Sequence, residues 1–395
     1  MKIGISGAGV AGPTLAHFLL RCGHEPTLIE KAPTFRTGGY VIDFWGTGYD
    51  VAERMGLIGP IRERGYQVEE VRLVRDDGSR GGGFGADVFR RMTHDRFTSI
   101  ARGDLAEVIY RSVEGSAETL FGDTVSAIEE DGTRVGVTLE SGGSREFDLL
   151  VGADGLHSRV RELGWGPQQD YERQLGFYVA AWQSTGYPQR DENIYVSHAE
   201  PGISLSRFSM RDNRTLFMLV FSTSHLPGEE PQDDAARRAV LHDVFGGAGW
   251  EAQAILAELD KAGEVYFDRV SQTEVPEWSR GRKVLLGDAA ACASLLAGEG
   301  TGLAMTEAYV LAGELHRSGG QVEPALAVYE QRLRPFLEEK QKAARGFASS
   351  FAPETAFGVW LRRVATRMMV IPPVADLLIG NSLKDDITLP DYGMV

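Results

Sequence analysis

Three short clusters of residues in this chain have the types and spacing to bind a phosphate-rich ligand. Gly7, Gly9 and Gly12 make a complete G-x-G-x-x-G, and Glu30 follows 18 residues after Gly12. Asp154-Gly155 runs into His157, Ser158, Arg159 and Arg161. Gly287-Asp288 is followed by Gly298-Glu299-Gly300-Thr301-Gly302. In the first cluster each glycine has a physical task. Gly7 permits a tight strand-to-helix turn, Gly9 lets a pyrophosphate approach the backbone, and Gly12 lets helix and sheet pack closely. A helix N-terminus adds free N–H groups and the positive end of a dipole. A carboxylate at the end of the next strand accepts from ribose hydroxyls. Ala11 and Lys31, within and beside these motifs, complete the first candidate set. The second cluster reads either as a polar site or as a salt-bridged turn. Arg36 and Arg102 are each a phosphate ligand or an ordinary loop or surface charge.

The elements that must position these residues are legible around them. Lys2 to Ser6 is a short buried strand. A helix follows, with Leu15, Phe18, Leu19 and Cys22 at i, i+3, i+4 and i+7. Thr27 to Ile29 is the second strand. Residues 47–65 read as helix. Val71 to Val74 and Asp77-Gly78 read as a hairpin continuing to Met92. Gly81-Gly82-Gly83-Phe84-Gly85 lacks the spacing of a second fingerprint and reads as a flexible loop. Asp104 is placed to cap a helix opening at Arg102. Asp131-Gly132 marks a hairpin, and Phe147 to Val151 is a buried strand leading into Asp154. Residues 171–222 alternate at period two and predict antiparallel sheet. Helices are expected over 235–261 and a strand over Val265 to Val270. Lys283 to Leu286 is a buried strand before Gly287-Asp288, and a strongly helical run opens near Gly300. Helices Pro335 to Arg345 and Trp360 to Ile371 follow, the latter amphipathic and expected to cover a domain, with contact to a membrane surface as the other reading.

Bulk properties narrow the field. The chain has 395 residues, enough for two or more subdomains. Its formal charge is -15, which argues against nucleic acid or an anionic membrane as the main partner. Cys22 and Cys292 are the only cysteines, so a disulfide is not expected and a reducing, cytoplasmic setting fits. The opening residues pass straight into a strand, so no signal peptide is expected. No apolar run reaches the length of a membrane span. Histidine and cysteine spacings support no metal site. There is no G-x-S-x-G elbow and no P-loop.

Taken in order, the three clusters resemble those of the single-component FAD-dependent aromatic hydroxylases, the p-hydroxybenzoate hydroxylase fold group. Within it the chain looks most like bacterial monooxygenases related to the tetracycline-inactivating enzymes. The resemblance covers roughly residues 1–340. It implies an α/β fold: a Rossmann-like FAD-binding domain, an inserted antiparallel β-sheet substrate domain, and C-terminal helices. The expected division is 1–70, 98–165 and 271–345 for FAD, 71–97 and 166–270 for substrate, and 346–395 for the C-terminal segment. It implies non-covalent FAD, with NADPH or NADH as reductant. Glu30 would bind the adenosine ribose, Arg36 and Arg102 would contact FAD, and Asp288 would hold the ribityl or pyrophosphate region. Asp154-Gly155 would serve both FAD and the passing NAD(P)H. At Gly298, Gly300, Thr301 and Gly302 a strand again meets a glycine-rich turn and a helix N-terminus, which suits a second part of the same ligand. Cys292 reads as a small buried thiol rather than a flavin thioether.

The implied activity is hydroxylation of an aromatic or polyketide-like small molecule by O2 and NAD(P)H, through a flavin C4a-hydroperoxide. The alternatives are a related flavin-dependent reductase, oxidase or halogenase, and a non-catalytic FAD-fold binding protein. The halogenase W-x-W-x-I-P is absent. Phe177, Trp182, Tyr195, Phe208, Met210 and Phe221 are candidate pocket walls, with about half expected to point elsewhere. No acid or base is assigned, and the sequence does not specify an oligomeric state. One departure from the family stands out. Ala293 and Leu295 occupy positions where prolines are usual, so the loop from Ala291 to Ala297 is expected to be less rigid than a proline-lined one.

Overall fold

The computed structural model describes residues 1–35, 39–383, 385 and 387–394. Two large sheets organise it. The first has six strands in the order Ser279–Arg280, Lys283–Leu285, Leu149–Gly152, Lys2–Ser6, Glu25–Glu30 and Glu118–Phe121. All its pairings are parallel except the edge pair at Ser279–Arg280. Parallel strands are covered on both faces and read as continuous apolar runs. Accordingly Ile3, Ile5, Leu149, Leu150, Val151, Val284 and Leu285 are fully buried. Helices Ala11–Arg21 and Gly300–Arg317 pack together over this core through Leu15, Phe18, Met305, Tyr309 and Ala312. The expected strand from Phe147 to Val151 divides in two. Phe147 ends a hairpin strand, Ser144–Phe147, and Leu149 begins the parallel strand.

The second sheet has seven strands in the order Tyr266–Thr273, Glu172–Thr185, Arg214–Ser222, Ile203–Ser209, Ile194–Glu200, Glu70–Val74 and Arg80–Gly85. Its ladders are antiparallel except for one parallel junction between Ile194–Glu200 and Glu70–Val74. Helices Asp234–Phe245 and Ala252–Leu259 bury Phe217, Leu219, Phe221, Leu241 and Phe245 against it. Asp233 caps the first of these helices by accepting from the Ala236 N–H at 2.8 Å. The architecture is therefore a mixed α/β fold. A Rossmann-like parallel sheet lies beside a large, mainly antiparallel sheet, and C-terminal helices follow.

Three expectations change in detail. The helical stretch over 47–65 is two helices, Gly46–Arg54 and Ile58–Arg64, separated at Gly56, whose φ is +74°. The run Gly81 to Gly85 is not a flexible loop but the edge strand Arg80–Gly85, and a helix, Asp87–Met92, follows it. The glycines there serve close approach. A Cβ on Gly82 would lie 2.7 Å from the Arg363 carbonyl oxygen of helix Ala356–Met368. At Gly83, where φ is +114°, it would lie 2.1 Å from the Val71 carbonyl. Finally, the helix expected over 335–345 is part of a much longer one, Val322–Phe351, which carries Pro335 inside it.

Candidate functional site

The parallel register brings the three clusters together. Ser6 lies level with Gly152 on one side and Ile29 on the other, and Gly152 lies level with Leu285. The carboxyl ends of four adjacent strands therefore deliver Gly7, Glu30, Asp154 and Asp288 to one edge, the usual ligand side of an open α/β sheet. They open on a cleft of about 1030 Å³. Gly7, Gly9, Ala11, Glu30, Lys31, Arg102, Asp154, Asp288, Gly298, Gly300 and Thr301 all line it. Gly12 and Gly302 do not, and Arg36 lies outside the described residues.

The glycines divide by what surrounds them. A Cβ on Gly12 would sit 2.0 Å from the Gly7 carbonyl oxygen, so Gly12 serves helix–turn packing. A Cβ on Gly48 would sit 2.3 Å from the Gly302 Cα, so Gly48 is the glycine that the contact between helices Gly46–Arg54 and Gly300–Arg317 requires, while a Cβ on Gly302 would lie an ordinary 3.5 Å from the Gly48 Cα. By contrast, a Cβ on Gly9, Gly155 or Gly298 would meet no protein atom within 4 Å. At Gly9, whose backbone φ is not positive, neither crowding by the chain nor backbone strain calls for glycine. A ligand pressed against the backbone would. Helices Ala11–Arg21 and Gly300–Arg317 also begin with no side-chain cap and no acid in the first turn. Their leading N–H groups remain available to an anion. These features fit FAD.

The carboxylates play different parts. Glu30 is oriented by two backbone N–H groups, Ala8 to Oε2 at 2.9 Å and Ala32 to Oε1 at 2.8 Å. Each oxygen keeps a lone pair for a further donor. Asp154 is instead engaged by the chain itself. Its Oδ2 accepts from the N–H groups of Arg159 at 2.8 Å and Val160 at 3.1 Å, and its Oδ1 accepts from Ser158 Oγ at 2.5 Å. Burial raises its pKa, opposed by these donors. Asp154 thus braces the Asp-Gly turn. Asp288 opens the short helix Asp288–Ala291 and lies across from Gly300.

Of the two readings of the second cluster, polar site or braced turn, Arg161 takes the second. Arg161 is 1% exposed and donates to the Leu156 carbonyl at 2.6 Å and the Ala289 carbonyl at 3.1 Å. Burial lowers its pKa. It joins the Asp-Gly turn to the Gly-Asp turn and faces neither solvent nor ligand. Arg159 is half-buried at the cleft margin and pairs with Glu162 at 2.6 Å. Of the six proposed pocket walls, only Trp182 lines the cleft. Phe221 packs under the sheet's helices, Phe177 lies against Val270 and Leu296, and Tyr195, Phe208 and Met210 cluster with Tyr66. Strand alternation puts Phe177 on the opposite face from Trp182, whereas Trp182 and Phe221 share the helix-covered face, and only Trp182 reaches the cleft.

Several residues that hold the site have no motif of their own. The loop lacking prolines is clamped. Gln272 donates to the Ala293 carbonyl at 2.5 Å and to the Gln341 carbonyl at 2.8 Å. Gln341 donates to the carbonyls of Cys292 at 3.0 Å and Thr273 at 2.7 Å. Both glutamines are buried. The loop is therefore held by two buried amides rather than by prolines of its own. Cys292 itself is buried, and burial followed by the nearby Asp288 charge pushes its thiol well up. It is a protonated thiol, not a reactive thiolate. Beneath Gly287, Glu307 accepts from the Gly287 N–H at 2.8 Å and the Tyr329 hydroxyl at 3.2 Å. Burial pushes its carboxyl up to about 8. At the cleft wall His157 Nε2 lies 3.0 Å from Asp268 Oδ2, bridging the Asp-Gly turn to strand Tyr266–Thr273. That carboxylate raises the imidazole to about 9.

Two outcomes follow from this geometry. Gly9→Val should fold normally by circular dichroism yet purify nearly free of flavin absorbance, whereas Gly12→Val should give little folded protein. A folded, fully flavin-loaded Gly9→Val would remove the case for a ligand at that turn. The His157–Asp268 pair gives a pH signature. The folded pKa of His157 lies above its ordinary 6.5, so its contribution is complete below about 6.5 and lost as pH rises through about 9. The pair is solvent-screened, which limits it to roughly 0.2–1 kcal/mol. NMR titration should find the His157 midpoint near 9, and Asp268→Asn should bring it down toward 6.5. An unchanged midpoint in Asp268→Asn would rule out the pair.

Comparison with known proteins bears on the same residues. The sequence profile described as "FAD binding domain" matches residues 1–343. An uncharacterized protein of Mycobacterium tuberculosis is 35% identical over 85% of this chain and 91% of its own length. A flavin-dependent monooxygenase of Legionella longbeachae is 31% identical over 99% of this chain and 98% of its own. Among solved structures, tetracycline destructase Tet(55) superposes with a TM-score of 0.84 at 28% identity, covering 99% of this chain and 98% of that one. With the glycine turns, the uncapped helices and the strand-end carboxylates at one sheet edge, these matches establish that the chain belongs to the FAD-binding family of aromatic-hydroxylase-type, flavin-dependent monooxygenases.

Proposed function

We propose that this monooxygenase consumes NADPH or NADH and hydroxylates an aromatic or polyketide-like small molecule. The observation that carries the reading is the continuity of the cleft. It runs from Gly9 and Glu30, past Asp288 and Thr301, to Ala181, Trp182, Leu216 and Tyr266 on the seven-stranded sheet. A dinucleotide held along the first part would present its ring system to a substrate under the second. Bound FAD would supply the oxygen chemistry, through its C4a-hydroperoxide. The chain would supply position, dryness and charge.

The residues divide that work. Glu30 would hold the adenosine ribose, and the N–H groups after Gly7 the pyrophosphate. Arg102 and Lys31, both exposed at the cleft, would neutralise phosphate charge. Arg36 keeps the same proposed role. The uncapped N-terminus at Gly300 would favour negative charge on a ring held against it. The Gln272–Gln341 clamp would keep the Ala291 to Ala297 backbone fixed beside that ring and exclude water, which otherwise discharges reactive oxygen species unproductively. Trp182 has a buried Nε1 with no hydrogen-bond partner among the described residues, and it is our candidate substrate donor. Tyr40 and Tyr266, with ring centroids 6.2 Å apart, supply aromatic surface nearby. A polyketide-like substrate is supported by the likeness to tetracycline destructase Tet(55). The division of the chain at about 70, 98, 166, 271 and 346 into cofactor, substrate and C-terminal parts belongs to the same proposal.

Anaerobic mixing of the flavin-loaded enzyme with NADPH and NADH should bleach the flavin with at least one of them, faster when a panel of phenols and polyketides includes a true substrate. Failure with both, in the presence of the whole panel, would point to a different reductant and overturn the NAD(P)H assignment. Gln272→Leu should stay folded, lower product formed per nicotinamide oxidised several-fold, and release the difference as hydrogen peroxide. Unchanged coupling in that variant would show that the clamp does not shield the reaction.

A further inference from the structure

Helix Ala356–Met368 is amphipathic with its apolar side outward. Phe357, Trp360, Leu361, Val364 and Met368 stand at i, i+3, i+4, i+7 and i+11, so they share one stripe. Four of the five are exposed: Phe357 by 67%, Trp360 by 55%, Leu361 by 48% and Met368 by 45%. The opposite side faces the protein's own edge strand. Thr366 Oγ1 accepts from the Gly83 N–H at 3.2 Å, Arg363 lies along Gly81 and Gly82, and Arg362 donates to the Phe351 carbonyl at 2.9 Å. Val359 is the buried residue of the helix. Phe357 and Trp360 stack with centroids 5.6 Å apart, preorganising the outer stripe.

The stripe is not an isolated oddity. Ten large hydrophobic residues are exposed among those described, and eight of them fall between 357 and 378. Spread over this helix and the segment through the next, Pro372–Leu383, they amount to on the order of 800 Å² of accessible surface, the scale of one side of a standard protein interface. The composition of 356–378 is also that of an interface: aromatic residues, methionines and arginines, with no lysine or glutamate.

We propose that this stripe is the contact between two copies of the chain, pairing helix Ala356–Met368 antiparallel with itself about a two-fold axis. Charge selects that occupant. The whole chain carries -15, whereas 356–378 holds three arginines and one aspartate, or +2, leaving -17 elsewhere. Two copies repel over most of their surfaces, and that repulsion is least along the stripe, whose Phe357, Trp360, Leu361, Val364 and Met368 bear no charge. Antiparallel pairing sets the exposed Glu354 before one helix against the exposed Arg367 near the end of the other, and aligns the two helix dipoles favourably. An anionic lipid surface fits less well. Arg362 and Arg363 turn inward, so the helix lacks the outward cationic face of an interfacial helix, and the net charge repels it.

The full-length, flavin-loaded protein tests this by sedimentation velocity across nanomolar to high-micromolar concentrations. The expected particle is twice the 43.1 kDa chain. The double variant Phe357→Ser, Trp360→Ser should raise the dimer dissociation constant about 30-fold or more, the loss typical of an aromatic anchor, with flavin content and melting temperature retained. Independently, Leu361→Cys, near the proposed axis, should form a disulfide-linked dimer under mild oxidation while Glu129→Cys, on a distant exposed strand, does not. A wild type that stays monomeric at every concentration would overturn the proposal, as would a dimer unaffected by the double variant. So would a wild-type monomer that binds phosphatidylglycerol vesicles and a variant that does not, because the stripe would then belong to lipid.

Discussion

Everything the cleft contains depends on one hydrogen-bonded register. The strand Lys2–Ser6 is flanked by two parallel neighbours, and its last residue is level with Gly152 and Ile29. Because strands rise about 3.3 Å per residue, a slip of one position would carry Glu30 or Asp154 out of reach of the turn it serves and reverse the faces of every side chain behind it. The buried apolar residues on both faces prevent that slip. The chemistry at the sheet edge is thus maintained by Ile3, Ile5, Leu150 and Val151, none of which touches the cleft.

A second layer of control is polar and buried. Arg161, Glu307, Gln272 and Gln341 each fasten a turn through main-chain atoms. Burying such groups is costly unless every strong donor or acceptor finds a partner, and they find theirs mostly in backbone carbonyls and N–H groups that turns leave unpaired. This is a different solution from rigidity by proline. An amide clamp restrains a loop from outside, so the loop's own residues can stay small, as Ala291 and Ala293 are.

The strands, the glycine turns and the strand-end acids were legible because each is a local pattern with a local cause. The helix after Gly12 and the hairpin around Asp131-Gly132 followed from spacing alone. The clamping residues were not legible, since Gln272 and Gln341 lie 69 positions apart and meet only after folding. Arg161 misled for a related reason. An arginine beside an Asp-Gly turn looks the same whether it faces solvent or is sealed beneath it, and only burial distinguishes the two. The glycine run at 81–83 misled because glycine serves mobility and close packing equally well. Its partner, helix Ala356–Met368, lies far away in sequence. Of the pocket walls only Trp182 was legible, because period two identifies a strand but not which face the helices will cover.

The order of strands in the parallel sheet has a consequence for biosynthesis. Lys2–Ser6 emerges from the ribosome early, yet one of its two edges waits for Leu149–Gly152, and that strand in turn waits for Lys283–Leu285. An unpaired edge is a template for wrong pairing. During translation the nascent nucleotide-binding half therefore exists for a long interval as a partial sheet that cannot yet hold its ligand, and chains of this size are prone to misassociate from such states. Supply of the cofactor cannot rescue the chain at that stage, because the second glycine turn, near Gly298, has not been made. Yield of active enzyme should consequently be limited by holdase capacity and translation speed before it is limited by flavin.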